Sequence, residues 1–431
     1  MIEPADFMQI QLLAAQKKHG KANCYAAKEH YIRQFGIPLP SLALQYMFGV
    51  ENLPFGRFYG FSGPTQSMKS SICFWLLRNI MAQGGLGLLV ETERKVSDTL
   101  MEGIIGQYMN ALLQFNATSL EMAEEMINDA FSFYKKNVPE RHFPYGIGWD
   151  SLRGVLSEET SRKIDKDGGV SKQFSSEANS LSKFFAKMVE ELSFWPMMLF
   201  FVQHEKQKQD SGGAGRQQTH AKTNLGGDAP GFHSTVLTRC SVPDKSAEGA
   251  ANPWALVQFK TTKNNLGILG KRVQVMLHFH QRTTEEGQQI HNYWFDWAKA
   301  DCDMLTSEKL ANKSGVKEVL NLEEHVSNKG YYRCPELDAT KATAADIIEL
   351  LNAPENVQLA KDLRHQLRIQ RNLRYDEVEW VQDGGTKKTP LFDWKVKEGV
   401  DLTEIVSISK EEYEQQSESS EPEEMANAVE A

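Results

Sequence analysis

The stretch Tyr59-Gly60-Phe61-Ser62-Gly63-Pro64-Thr65-Gln66-Ser67-Met68-Lys69-Ser70-Ser71 decides the reading of this chain. It begins as an apolar strand ending near Phe61. It continues as a loop carrying Gly63 and closes on Lys69-Ser70, just before the apolar helical run Ile72–Met81. A phosphate-binding loop needs this layout, because backbone N–H groups and a helix N-terminus must face the phosphates. In the pattern G-x-x-x-x-G-K-[ST], Gly63, Lys69 and Ser70 fit, and Met68 stands in place of the second glycine. Lys69 would reach the β- and γ-phosphates, and Ser70 would hold Mg²⁺. The bland alternative is a Ser-rich turn that caps a helix.

Working outward, strand-like runs recur at Leu86–Val90, Tyr145–Trp149, Met197–Val202, Leu256–Lys260 and Val273–Phe279, with longer helical stretches between them. Such alternation predicts an α/β domain around a largely parallel sheet. Three of the runs end in polar groups: Glu91-Thr92-Glu93, Asp150-Ser151 and Gln203-His204. In an open parallel sheet these ends share the carboxyl edge with the phosphate loop, where ligands bind. An aspartate there suits a Mg²⁺-water ligand. A helix-capping role is the dull alternative for each carboxylate.

The chain has 431 residues, of which 41% are hydrophobic and 24% charged. That composition excludes a disulfide mini-protein, a collagen-like fibre and a wholly disordered chain. Five cysteines (Cys24, Cys73, Cys240, Cys302, Cys334) show no C-x-x-C spacing, which argues against a zinc site and suits a reducing compartment. Apolar runs such as Trp195–Val202 are too short to cross a bilayer, and the acidic N-terminus carries no signal pattern. A soluble intracellular protein is expected. The net charge is −9, yet Lys410–Ala431 holds eight Glu and one Lys, net −7, leaving a nearly neutral body. Net charge by itself therefore does not decide for or against nucleic-acid binding.

Residues 1–50 read as a mostly helical segment broken at Ile37-Pro38-Leu39-Pro40. Residues 51–300 read as the α/β core. Within it, 206–227 is a long Gly-, Gln-, Lys- and Ser-rich loop, and 244–253 is a hairpin or surface turn. Residues 301–405 form a mixed C-terminal region with helices expected at 344–351 and 356–370. Residues 406–431 read as a disordered acidic tail. No internal repeat is visible.

Taken together, these residues resemble the RecA family of recombinases, and most closely the UvsX type of T-even phages. The loop Gly63-Pro64-Thr65-Gln66-Ser67-Met68-Lys69-Ser70-Ser71 looks like the family's G-P-x-x-S-x-K-[ST] form, and a bulky apolar residue at Met68 is a feature of the UvsX branch. Glu93 matches the family's catalytic glutamate. Asp150-Ser151 matches the Walker B aspartate and its following serine. Gln203-His204 falls at the switch that senses the γ-phosphate. Leu225-Gly226-Gly227-Asp228-Ala229 resembles the end of the mobile DNA-binding loop. The resemblance covers residues 20–300 well and the C-terminal region loosely. Two positions depart from it. Leu100 stands where a Tyr often stacks on adenine. Of the two basic residues that reach a neighbouring subunit's phosphates, Lys263 fits one while Asn265 occupies the other, with Lys260 as a substitute.

The resemblance implies a RecA-like ATPase core with a mostly parallel central sheet flanked by helices. It also implies an N-terminal helical oligomerisation segment, a small α+β C-terminal region and an acidic tail. ATP and Mg²⁺ are the implied cofactors. Lys69, Glu93, Gln203 and Lys263 would be catalytic, the last acting in trans, and Ser70 and Asp150 would organise the metal. DNA contact would fall on two loops. One lies near 153–173, with Arg153, Arg162, Lys163, Lys166 and Lys172. The other lies near 206–227, with Lys206, Lys208, Arg216, Lys222, Gly226 and Gly227. Implied partners are single- and double-stranded DNA, further copies in a head-to-tail filament, a single-strand-binding protein and a loader, with no membrane. The implied location is the cytoplasm of an infected bacterial host. A RecA-fold helicase or motor, and a weakly hydrolysing ATP-binding mediator, are the competing readings.

Overall fold

The computed structural model describes residues 4–19, 34–137, 143–152, 174–193, 195–207, 222–224, 229–283, 289–307, 310, 315–382, 392–402 and 405. Two compact units divide the chain: Ile37–Gln370, and the termini Met1–Gly36 with Arg371–Ala431. Along the chain, α1 (Pro4–His19) and β1 (Phe35–Pro38) come first. They are followed by α2 (Leu42–Phe48), β2 (Asn52–Pro54), β3 (Arg57–Gly63), α3 (Lys69–Ala82), β4 (Leu86–Glu91), α4 (Asp98–Ile105), β5 (Leu112–Asn116), α5 (Leu120–Asn137) and β6 (Tyr145–Asp150). After the helix Phe174–Leu192 come β7 (Met197–Gln207), β8 (Lys222–Asn224), β9 (Val236–Lys245), β10 (Trp254–Asn264), β11 (Arg272–Thr283) and β12 (Gln289–Phe295).

The larger unit is built on a sheet of order β12-β11-β10-β9-β3-β7-β6-β4-β5, with β8 paired to β7. From β9 through β3, β7, β6 and β4 to β5 every junction is parallel. All six residues of β6 are buried, as a strand covered on both faces requires. The flank β9-β10-β11-β12 is antiparallel. There the burial of β10 alternates between covered and half-exposed, because one face stays wet. The largely parallel expectation thus describes the centre, and an antiparallel flank extends it. The turn expected at 244–253 joins β9 to β10, with Ala255 opposite Lys245.

Helices close both faces of the centre. Leu120, Ala123, Ile127, Phe131 and Tyr134 recur every three or four residues and form the buried stripe of α5. They share a core with Phe184, Phe185 and Met188 of the next helix and with Trp149 of β6. The helix α3 lies very close to β6. A Cβ added at Gly146 would come within 2.7 Å of Ile80 and 2.8 Å of Leu77. Glycine there lets the helix approach the strand.

Residues 302–369 gather a second cluster around Tyr332, Ile347, Leu351 and Leu363. Ala344–Leu351 is a helix as expected, opened by a capping box between Thr343 and Asp346. The helix expected over 356–370 runs from Val357 to Gln366. It stops because Arg368 turns left-handed, at φ 55°. Lys271 donates to the Leu367 carbonyl at 3.3 Å, a cation at a helix C-terminus.

In the terminal unit, α1 is helical and Phe35 lies in a strand. Phe35 pairs in parallel with Leu373, and its ring meets Trp380 and Trp394 at 5.9 and 4.8 Å. The first fifty residues are therefore less helical than their pattern predicts, since Phe35–Pro38 is strand. The acidic tail, 406–431, lies outside the described residues.

Candidate nucleotide site

β3 ends at Gly63, and α3 begins at Lys69. Between them Pro64, Thr65 and Gln66 form an exposed crown, while Ser67 is buried. Gly63 admits no side chain: a Cβ there would lie 2.4 Å from the Cys240 carbonyl oxygen and 2.7 Å from Ser67 Oγ. Met68, in place of the second glycine, takes the conformation glycine would favour, left-handed at φ 63°. Its carbonyl accepts from Ile72 N at 3.2 Å, so α3 starts without a side-chain cap. Ser71 Oγ contacts Met68 Sδ at 3.7 Å.

Lys69 is 4% exposed and folds back over the loop. Its Nζ donates to Pro64 O at 2.6 Å, Gly63 O at 3.2 Å and Ser67 Oγ at 3.3 Å. Burial pushes its pKa below the usual lysine value, against the opposing fields of Cys240, Asp150, Glu93 and Glu205. The ammonium is thus held among neutral acceptors that an anionic ligand can displace.

Asp150 closes β6, and β6 lies beside β4 with Asp150 opposite Glu91. Burial raises the Asp150 pKa to about 6, and the hydrogen bond with Ser70 pulls the other way. Its Oδ2 is buried with no hydrogen-bond partner among the described residues. A hydroxyl and an orphaned carboxylate oxygen at one point are the hard donors that Mg²⁺ takes, so the residues fit that ion.

The two glutamates after β4 separate by contact. Glu91 is consumed by structure: its Oε1 accepts from Val96 N at 2.8 Å and its Oε2 from Gln114 at 3.0 Å. Glu93 turns to the site. Ser151 Oγ donates to its Oε1 at 2.6 Å, His204 Nε2 meets the same oxygen at 3.0 Å, and Lys95 lies 3.5 Å from Oε2. Burial would raise its pKa, but Ser151, His204 and Lys95 outweigh that and hold the carboxyl below its ordinary range. Burial, with Lys69 nearby, keeps the His204 pKa below that of free imidazole despite Glu93.

Thr92 locks these strand tips together. Its hydroxyl donates to Ser151 O at 2.6 Å and accepts from Ser151 N at 3.1 Å. Gln203 is 1% exposed on β7 opposite Ser62, and His204 is opposite Gly63. Next in the chain, Glu205 accepts from Arg239 Nε at 2.8 and 3.0 Å. Sequence reasoning singles out neither Thr92 nor the Glu205–Arg239 pair. A Thr between two glutamates and an Arg within a strand carry no local signal.

Lys69, Ser70, Glu93, Asp150, Gln203 and His204 therefore meet at one sheet edge. Lys263 lies on β10, where its Nζ donates to Gly231 O at 3.1 Å and to Phe232 O, at the end of the short helix Ala229–His233. Lys260 and Asn265 are exposed, and Leu100 is half-buried on α4. Of the basic positions, Lys206 and Lys222 lie in β7 and β8, where Lys206 pairs with Thr223 and Gln207 with Lys222. The segment read as one long loop thus contains a paired stem, Lys206–Gln207 against Lys222–Thr223. Arg153, Arg162, Lys163, Lys166, Lys172, Lys208, Arg216, Gly226 and Gly227 lie outside the described residues. Among the described residues no helix is long and apolar enough to cross a membrane.

No family model matches the chain. It is similar to the RecA protein of Cutibacterium acnes, with 23% identity over 292 residues, covering 68% of this chain and 77% of that protein. It is also similar to the RecA protein of Enterococcus faecalis, with 22% identity over 317 residues, covering 72% and 82%. Against the RecA protein of Caldanaerobacter subterraneus the identity is 19% over 356 residues, covering 80% and 88%. These similarities support the RecA family.

Proposed function

We propose that this RecA-like chain is a DNA-dependent ATPase that assembles on single-stranded DNA and pairs it with homologous duplex. The observation that carries the reading is the convergence of Lys69, Ser70, Asp150, Glu93 and His204 on one sheet edge beside a glycine-led loop. Bound ATP with Mg²⁺ supplies the phosphoanhydride to be cleaved and a cation that neutralises its charge. Lys69 leaves its loop carbonyls to bind phosphate oxygens. Ser70 and Asp150, the latter through water, would hold the metal. Glu93, ionised at neutral pH, orients the attacking water through its carboxylate, and Ser151 and His204 fix its direction. Gln203 and His204 stand between this site and the β7–β8 stem, and so report the phosphate's presence to the segment that stem carries.

The finer reading is a recombinase of the UvsX type, acting in the cytoplasm of a phage-infected bacterium. The loops near 153–173 and 206–227 would follow the DNA backbone, and Lys263 would reach a neighbouring subunit's phosphates in a head-to-tail filament. The N-terminal helix would serve that assembly. A single-strand-binding protein and a loader would be its partners on DNA.

The test is ATP hydrolysis with and without single-stranded DNA, for the wild type, Lys69→Ala and Glu93→Gln. Stimulation by DNA that both substitutions abolish is expected. Turnover indifferent to DNA would point to another RecA-fold motor, and binding without turnover to a mediator.

A further inference from the structure

Building on that ATPase reading, we propose that the Glu205–Arg239 pair is a positioning element that couples the phosphate-binding loop to the stem of the β7–β8 hairpin. The geometry is specific. β3 lies between β9 and β7 and ends at Gly63, whose last β7 partner is His204. One residue further, Glu205 has no β3 partner. Arg239, paired with Ser62 on the other side of β3, spans the gap with its side chain. The two flanking strands are about 10 Å apart, twice the ordinary strand spacing. The pair therefore closes over the point where Gly63 leaves the sheet for the phosphate loop.

Each end of the bridge is tied to something that matters. On the β9 side, the next residue is Cys240, whose carbonyl is the wall against which Gly63 packs, 2.4 Å from where a Cβ would stand. On the β7 side, Glu205 pairs with Asn224 and opens the stem Lys206–Thr223 and Gln207–Lys222. A shift of the loop on phosphate binding thus moves Cys240, Arg239, Glu205 and the stem as one connected body. The Glu205 side chain is 11% exposed and the Arg239 side chain 29% exposed, so the pair is partly shielded from solvent. A surface ion pair of no consequence would sit in open water.

The experiment compares wild type, Glu205→Gln, Arg239→Gln and the charge-exchanged double variant Glu205→Arg/Arg239→Glu. ATP turnover is measured with and without single-stranded DNA, together with the KM for ATP and the melting temperature. The single variants are expected to lose DNA stimulation by about five-fold or more. DNA-free turnover and KM should stay within about two-fold. The exchanged pair is expected to recover stimulation. Full stimulation in the single variants overturns the inference, and so does a parallel fall of DNA-free and DNA-stimulated rates. Should the wild type itself show no DNA stimulation, the ATPase–recombinase reading fails, and hydrogen exchange then decides the coupling separately. Protection of the 205–207 and 222–224 amides on adding Mg²⁺ and a non-hydrolysable ATP analogue, lost in Glu205→Gln, would sustain it. No protection in the wild type, or equal protection in the variant, would refute it.

Discussion

Ser151 donates its hydroxyl to Oε1 of Glu93 at 2.6 Å, so the residue after the β6 aspartate aims the carboxylate that follows β4. Ser151→Ala removes that donor and leaves the Thr92 contacts, which use the Ser151 backbone. Turnover should fall by roughly ten-fold, the loss of about one charge-assisted hydrogen bond. Because Ser151 lowers the Glu93 pKa, its loss raises that pKa. The acid limb of the kcat/KM profile should therefore move to higher pH, which a pH–rate series reads directly.

Asp150 gives a prediction of opposite sign for stability and activity. Its folded pKa, about 6, lies above the unfolded value of 3.8. Between these values the unfolded chain loses its proton while the folded chain keeps it. Stability without nucleotide therefore falls as pH rises through that window, and stays reduced above it. Asp150→Asn should raise stability at pH 7 by on the order of 2 kcal/mol, read by denaturant titration, and abolish Mg²⁺-dependent turnover.

Met68 holds a left-handed backbone with a full side chain. Met68→Gly relieves a strain of about 1–2 kcal/mol, but the unfolded chain gains about as much freedom. Net stability should change by less than about 1 kcal/mol, and nucleotide binding should survive. Met68→Ile, β-branched at the same φ, should lose about 1–2 kcal/mol. Calorimetry of the two variants separates these outcomes.

Asp301 is buried and accepts from Ser41 Oγ at 2.7 Å, Ala43 N at 2.7 Å and Leu42 N at 3.1 Å, so it caps α2 from 258 or more residues away in sequence. Asp301→Ala leaves three donors without their acceptor and should cost about 2–4 kcal/mol in urea unfolding. DNA-free turnover per folded molecule should remain, because Asp301 touches no group of the nucleotide site.

Much of the site is legible before any coordinates. The strand, loop and helix around Gly63 and Lys69 are consecutive, so local pattern suffices to read them. Asp150 and Gln203-His204 are legible as the polar ends of apolar runs. What pattern leaves open is which of two nearby glutamates faces the site. Glu91 and Glu93 differ by two residues and by nothing in composition. Glu91 is bound to Val96 and Gln114, and Glu93 faces Ser151 and His204.

The sequence by itself determined the strand, loop and helix around Gly63 and Lys69, the central strands and the order in which their polar tips arrive, because each is written in neighbouring residues. Tertiary structure alone decided that the antiparallel flank joins the central sheet through β9 and β3, and it alone decided the Thr92–Ser151 lock, the Glu205–Arg239 bridge and the capping of α2 by Asp301. These depend on strand order and register. Register is a relation between segments distant in the chain, set by which faces bury together, and no single segment's periodicity contains it.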